Sequence, residues 1–281
     1  MPELSLGVML AVLGGAVAHA TWNAMVKSSS DVLLDTSVVI VGAGVAAAPL
    51  IVFVAPPAPA SWPYLAASIA IHIAYYIALV GAYRAGDLSH GYPIMRGVAP
   101  LIVALCALAW LGEAPKPATW TGVLLIAAGV LSLGLTGFHW STSRVSTCWA
   151  LANAAIIAAY TLVDAAGVRL SGSPEGYVLW MFVLDALPFP LIVLALRGRQ
   201  LVEYGRRYWL RGLTGGVLSA AAYGIALWAM ARAPVSAVAA LRETSVIFAA
   251  LIGAYILKEG HAGRRLRGAA AVVAGVIALK I

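Results

Sequence analysis

The sequence has little charge, almost no cysteine and no common catalytic motif. Only 10% of its 281 residues are charged, and the two cysteines, Cys106 and Cys148, have no C-x-x-C spacing that would indicate a disulfide framework or a zinc site. The HExxH, GxxxxGK[ST] and GxSxG patterns of metalloproteases, nucleotide-binding loops and serine hydrolases are all absent. We therefore expect a protein that is not an enzyme, with no catalytic residues, no metal and no cofactor.

Apolar residues dominate what is present. They make up 62% of the chain, and the mean hydropathy is +0.93. A helix that crosses a hydrocarbon core about 30 Å thick needs roughly 20 apolar residues, and runs of this kind recur along the whole chain. The sequence predicts an all-α polytopic membrane protein with ten transmembrane helices. The predicted spans are 4–26, 32–54, 62–83, 91–112, 118–138, 147–168, 175–196, 211–231, 235–257 and 266–280.

The net charge of +7 comes from basic residues at the predicted helix ends, where Lys and Arg reach lipid headgroups. We therefore expect no nucleic-acid partner. Twelve basic residues fall on the side of the odd-numbered loops and four on the side of the termini, so the positive-inside rule places the termini away from the cytoplasm. The twelve are Lys27, Arg84, Arg144, Arg197, Arg199, Arg206, Arg207, Arg211, Lys258, Arg264, Arg265 and Arg267, and the four are Lys116, Arg169, Arg232 and Lys280.

The first helix carries the small-residue pattern Ala18-His19-Ala20, which resembles a signal-peptide cleavage site. The segment before it contains Glu3 and no basic residue, unlike the positively charged start of a signal peptide. We expect this helix to be retained.

The chain contains an internal repeat. The segment from Arg96 through Glu113 to Gly122 and Gly129 aligns with a second one at a constant offset of 146 residues, reaching Arg242, Glu259, Gly268 and Gly275. At an offset of 141, His19 aligns with Tyr160 and Asn23 aligns with Asp164. Because each copy has five helices, the second copy is inverted relative to the first, and inverted repeats are typical of alternating-access transporters. The predicted halves are residues 1–140 and 141–281.

These residues resemble a known family. Leu111-Gly112-Glu113 with its two glycines, the second copy Leu257-Lys258-Glu259, and the run Ala18–Asn23 are similar to tandem EamA domains, the ten-helix branch of the drug/metabolite transporter superfamily. The resemblance implies a bacterial inner-membrane protein that exports small metabolites, such as amino acids or related carboxylates, from a central cavity. Phosphorylated or phosphonate-type anions are the alternative cargo, and an anion channel or a non-transporting protein is a less favoured function. The resemblance also implies cytoplasmic termini, against the charge bias, and leaves the coupling ion and the oligomeric state open.

Charged residues inside predicted spans need a reason, because a central Arg costs about 2.5 to 3.5 kcal/mol on insertion scales. Arg96 and Arg242 occupy equivalent positions of the repeat. They either bind a carboxylate or phosphate in the cavity or form structural ion pairs with Glu243, Asp164 and Asp185. These three acids are also the candidates for proton coupling or for counter-ions, with Glu243 and Asp164 preferred as proton carriers.

An aromatic and imidazole set surrounds these charges. Tyr92 shares a helix face with Arg96, and His72 shares one with Tyr76, so each pair is expected to line one chamber. Tyr75 and Trp228 are instead assigned to the interfacial aromatic belt. The substrate-binding candidates are Arg96, Arg242, Tyr92, His72, Tyr76, Asn23, Trp22, Tyr160 and Tyr223.

Overall fold

The computed structural model describes residues 4–85, 88–134, 144–255 and 262–280. These residues form thirteen α-helices and two short 3₁₀ helices, at Ala48–Phe53 and Pro59–Ser61, and no strand. The α-helices are α1 Leu6–Lys27, α2 Val32–Ala47, α3 Trp62–Ala85, α4 Leu88–Trp110, α5 Pro117–Gly134, α6 Arg144–Leu170, α7 Pro174–Asp185, α8 Pro188–Arg197, α9 Arg199–Arg207, α10 Trp209–Met230, α11 Val235–Arg242, α12 Ser245–Tyr255 and α13 Ala262–Ala278.

The all-α membrane fold is confirmed. Seven helical segments are long and apolar enough to cross a membrane, and 117–133 and 268–278 are shorter apolar helices. Large apolar side chains face outward, with Phe53 80% and Leu196 72% exposed, whereas Asp35, Asn153 and Asp164 are buried. This inverted distribution fits a surface that meets lipid rather than water.

Two helical segments are divided where one helix was predicted, and the end of a third lies outside the described residues. The seventh is divided into α7 and α8, as Pro188 and Pro190 lead one to expect, because proline removes backbone donors and clashes with the preceding turn. The ninth, predicted as one helix over 235–257, is divided by a turn at Glu243 and Thr244. The fifth ends at Gly134 in the described residues, so the end predicted at residue 138 lies outside them, as does the predicted boundary between residues 140 and 141.

The connection between the seventh and eighth segments, which lies outside the predicted spans, folds as a helix. This helix, α9, is amphipathic, and Leu201 and Tyr204 on one side of it pack toward α2 and α8. Tyr204 donates a hydrogen bond to Asp35 of α2 at 2.9 Å, and Arg211 pairs with the same carboxylate at 3.0 Å. Burial, followed by this hydrogen bond, raises the pKa of Tyr204 to about 12, so the phenol remains a donor at neutral pH.

The glycine stripes of the repeat form a contact within the chain. On α5 and α13, Gly122 faces Gly275 and Gly129 faces Gly268, so the two helices run antiparallel. In the repeat, Gly122 is equivalent to Gly268 and Gly129 to Gly275. Exchanging the two copies therefore turns the Gly122–Gly275 contact into the Gly129–Gly268 contact, which is the self-complementary pattern of a twofold axis. A twofold axis of this kind is what an inverted repeat would produce.

The packing of the first helix in each half follows the same relation. Helix α1 packs against α10, α11 and α12, and α6 packs against α3 and α4. Each of these helices therefore lies against the third and fourth segments of the opposite predicted half. This exchange brings the residues of both halves to the centre of the molecule.

We expect Gly129→Ala to destabilise the protein by about 1–3 kcal/mol, as overpacking does. An added Cβ would lie 2.8 Å from the carbonyl oxygen of Gly268, closer than helix backbones tolerate. The thermal midpoint of the purified protein in detergent measures the effect. Gly14→Ala is the matched control, since a Cβ there meets nothing within 4 Å, and the midpoint should hold or rise. Equal midpoints for the two variants would contradict the close contact.

Candidate functional site

A central void lies where helices of the two predicted halves meet, with about 500 Å³ of empty space that is partly open to solvent. Its wall is polar and aromatic, which is unusual for the middle of a membrane protein unless the space serves a solute. Helices α1, α3, α6, α7, α10 and α11 all contribute to it. The lining residues are His19, Trp22, His72, Tyr75, Tyr76, Tyr160, Phe182, Asp185, Ser219, Tyr223 and Arg242.

Two interrupted helices place charges on this wall. Arg242 is the last residue of α11, and Asp185 is the last residue of α7. At the first interruption, Glu243 and Thr244 donate to carbonyls three residues back, at 3.0 and 3.1 Å, which turns the backbone before α12 begins. Discontinuous helices near the midplane commonly form the binding site of a transporter.

The two repeat-equivalent arginines have different surroundings. Arg96 is an ion-pair partner of Glu243, with 2.7 Å between Nε and Oε2, and it also donates to Ser245 at 3.3 Å. Arg242 has no carboxylate within 4 Å among the described residues, and its guanidinium stacks on the Tyr223 ring at 4.7 Å. The sequence left two roles open for these arginines, binding of a ligand and pairing with a buried acid. The structure pairs Arg96 with an acid and places Arg242 on the wall of the void.

The three buried acids also differ. Asp164 accepts hydrogen bonds from Tyr177 at 3.0 Å and Tyr223 at 2.6 Å and is not part of the wall. Glu243 is held by Arg96. Asp185 lines the void, accepts a hydrogen bond from Tyr76 at 3.3 Å and lies 3.6 Å from Nδ1 of His72.

His72 is the centre of the aromatic wall. Its ring lies 4.7 Å from Tyr160, 6.0 Å from Tyr223 and 6.4 Å from Tyr76. The rings of Tyr75 and Tyr160 are also in contact, at 5.7 Å. Such a set offers hydroxyl contacts and ring faces to an amphipathic solute.

The void extends toward one face of the membrane. A second void, of about 560 Å³, shares Trp22, Tyr76 and Ser219 with the first and reaches Lys27 and Val32, where α1 ends and α2 begins. Asn23 lies on this second wall, with its amide donating to the carbonyl of His19 at 2.8 Å. The path therefore leads to the side of the odd-numbered loops, which carries the larger number of basic residues.

Toward the opposite face lies what we call the Glu113 cluster, formed by Glu113, Arg169 and the backbone that joins α10 to α11. The Glu113 carboxylate is 1% exposed, lies 2.7 Å from Nη2 of Arg169 and accepts the Val235 amide at 3.0 Å. Arg169 also donates to the carbonyls of Met230 at 2.9 Å and Ala233 at 3.1 Å. A carboxylate at the start of α11 is favoured by the helix dipole.

Most of the predicted site residues meet at this void. Arg242, His72, Tyr76, Tyr160, Tyr223, Trp22 and Asp185 line it, and Asn23 lines its extension. Arg96, Tyr92, Asp164 and Glu243 lie behind the wall, and the buried Tyr92 hydroxyl has no hydrogen-bond partner in the described part of the chain.

Sequence reasoning missed several residues at this site. Tyr75, assigned to the interfacial belt, instead lines the void, and so do His19, Phe182 and Ser219. The pairing of His19 with Tyr160 across the repeat was the signal that could have identified His19. Trp228 lies near the end of α10 under the guanidinium of Arg232, at 4.5 Å. Within the described ranges, no three His, Cys, Asp or Glu side chains lie together as metal ligands would.

Comparisons with known proteins agree with this architecture. A solved crystal structure superposes over 96% of this chain and 94% of its own, with a TM-score of 0.72 and 17% identity, which shows a shared fold. No curated protein matches the sequence. Residues 145–280 match the EamA-like transporter family, whose members are membrane transporters of the drug/metabolite type. The second half of the chain is thus similar to the EamA-like transporter family.

Proposed function

We propose that this membrane transporter exports small metabolites, amino acids or related carboxylates, by alternating access through the central void. The observation that carries the proposal is the guanidinium of Arg242, which ends an interrupted helix, has no carboxylate within 4 Å among the described residues and faces a void that Asp185 also lines. Arginine binds carboxylates through two parallel hydrogen bonds. The path from the void toward one face, with the buried contacts of the Glu113 cluster toward the other, supports a transporter rather than a channel.

The charges of the wall favour a zwitterion over a phosphorylated anion. Arg242 supplies one positive charge for a carboxylate, and Asp185 supplies one negative charge for an ammonium group. A phosphate or phosphonate group with two negative charges would meet a single free guanidinium and would be repelled by Asp185. Phosphonate-type anions remain the second candidate because Arg also binds phosphates.

The distribution of basic residues supports export. The void extends toward the side with twelve Lys and Arg residues, which the positive-inside rule places in the cytoplasm. A carrier in this state would load its cargo from the cytoplasm of a bacterial cell and, after a change of state, release it on the other side of the inner membrane.

Ligand binding followed by counterflow tests the proposal. We expect amino acids to raise the thermal midpoint of the purified protein more than nucleotides or phosphonates, because binding to the folded state stabilises it. The compound with the largest shift should then show saturable counterflow in proteoliposomes, which an open pore does not produce. Flux that rises linearly with concentration, or no counterflow with any bound compound, would contradict the transporter proposal, and a larger shift with phosphonates would favour the second cargo.

A further inference from the structure

The structure contains one imidazole–carboxylate pair on the wall of the void. Nδ1 of His72, on α3, lies 3.6 Å from Oδ1 of Asp185, at the end of α7. Both side chains are 8% exposed, and Nδ1 has no hydrogen-bond partner in the described residues. A proton can therefore be placed between Nδ1 and the carboxylate without breaking a hydrogen bond that Nδ1 already makes among the described residues.

We propose that His72 and Asp185 form a proton-binding site, and that the ammonium group of a bound amino acid displaces this proton. The inference rests on the proposed function, since it assigns the coupling ion to the same void. The step is an exchange: the proton leaves the pair for the solution to which the void opens, and the ammonium group takes its place beside the carboxylate.

The other buried acids are less suited to this exchange. Asp164 is fixed by two phenol donors behind the wall, and Glu243 is neutralised by Arg96 at 2.7 Å. Releasing either carboxylate would break contacts that stabilise the helix packing. The geometry thus points away from Glu243 and Asp164, which the sequence favoured, and toward the third acid.

The surroundings of His72 set the charge of the site. His19 faces the void from α1, Tyr160 and Asp164 lie on α6, Asp185 on α7, Tyr223 on α10 and Arg242 on α11, and Tyr75 and Tyr76 share its own helix. With an uncharged imidazole, the wall offers Arg242 and Asp185 as one positive and one negative charge. A proton on the pair cancels the negative charge, so the ammonium site is lost while the proton is bound.

This competition makes the carrier an antiporter. One amino acid can enter the void only when the pair is unprotonated, and one proton can return only when the void is empty. Imidazole is suited to the task because its unperturbed pKa lies near physiological pH.

Proton release on ligand binding tests the inference. A mixture of the common amino acids is added at saturating concentration to the detergent-solubilised protein in weak buffer at about pH 6, and a protein-free blank is subtracted. We expect up to one proton to be released per protein, and none from His72→Gln. Arg232→Gln is the control, because this exposed side chain lies at the end of α10 and is not part of the wall of the void, and release should persist in this variant.

The outcomes separate this inference from the proposed function. A thermal shift with the mixture but no proton release from the wild-type protein would overturn the proton site and leave amino-acid binding intact. If the mixture does not bind, amino-acid transport fails, and an NMR titration of ¹⁵N-labelled histidine then decides on the proton site. The His72 signal, assigned by its loss in His72→Gln, should change with pH as the pair gains and loses its proton, and Asp185→Asn should alter that titration. A signal that does not titrate while the protein stays folded, or that is unchanged in Asp185→Asn, would refute the site.

Discussion

Arg242→Gln is expected to abolish counterflow while the protein still folds. The guanidinium is the cation that the wall of the void offers to a carboxylate, and removing one partner of a desolvated charge pair costs about 2–5 kcal/mol or more. At about 1.4 kcal/mol for each factor of ten, ligand affinity should fall by roughly 30-fold to several thousand-fold. The loss of the cation breaks no ion pair among the described residues, so the thermal midpoint without ligand should change little.

Two further variants sharpen this prediction. Arg242→Lys retains the charge but not the planar fork, and should recover part of the affinity. Arg232→Gln removes an exposed arginine at the end of α10, where it faces Glu175 at 3.6 Å, and should leave counterflow unchanged. Full counterflow in Arg242→Gln would remove the observation on which the cargo assignment rests.

Arg96→Gln is expected to lower the stability of the folded protein. Breaking a buried ion pair by removing one partner typically costs about 3–5 kcal/mol, because the other charge stays buried without compensation. Arg96 is 4% exposed and Glu243 3%, so the variant leaves an isolated carboxylate between α4 and α12. We expect a lower yield of folded protein and a lower thermal midpoint in detergent, and the same for Glu243→Gln.

The double variant distinguishes an ion pair from two independent roles. Arg96→Gln with Glu243→Gln removes both charges, so it should recover much of the stability lost in either single variant. A well-folded Arg96→Gln protein that no longer transports would show that Arg96 contacts the cargo and that the pair contributes little to folding.

The helical segments could be predicted from sequence because apolar runs are a local property, and the structure has helices at each of the ten predicted segments. Arginines and glycines at a fixed offset predicted equivalent positions in two copies. The antiparallel meeting of the glycines on α5 and α13 needed the fold.

The division of roles between Arg96 and Arg242 could not be predicted. Both occupy the same position of the repeat, and the partner that separates them, Glu243, follows Arg242 in the chain but pairs with the arginine of the opposite half. Neighbouring residues on a helix point about 100° apart, which excluded a simple pair between Arg242 and Glu243 but did not identify the distant partner.

Other features depend on long-range contacts. The turn at Glu243 and Thr244 could not be predicted, because no proline or glycine lies near it in the sequence. Helix α9 is stabilised by contacts with α2, which lies about 170 residues earlier in the chain. One of these contacts joins Tyr204 to Asp35. The Glu113 cluster likewise joins the connection after α4, the end of α6 and the connection between α10 and α11, and no local pattern predicts their meeting.

Helix α11 connects the Glu113 cluster to the wall of the void. It has eight residues, so it is a rod about 12 Å long. Glu113 holds the amide of its first residue, and its last residue is Arg242. Since a turn separates this rod from α12 after Arg242, a rigid tilt of α11 would displace both of its ends. Release of the Glu113 contact and movement of the guanidinium would then be one displacement, with no separate signal needed between them.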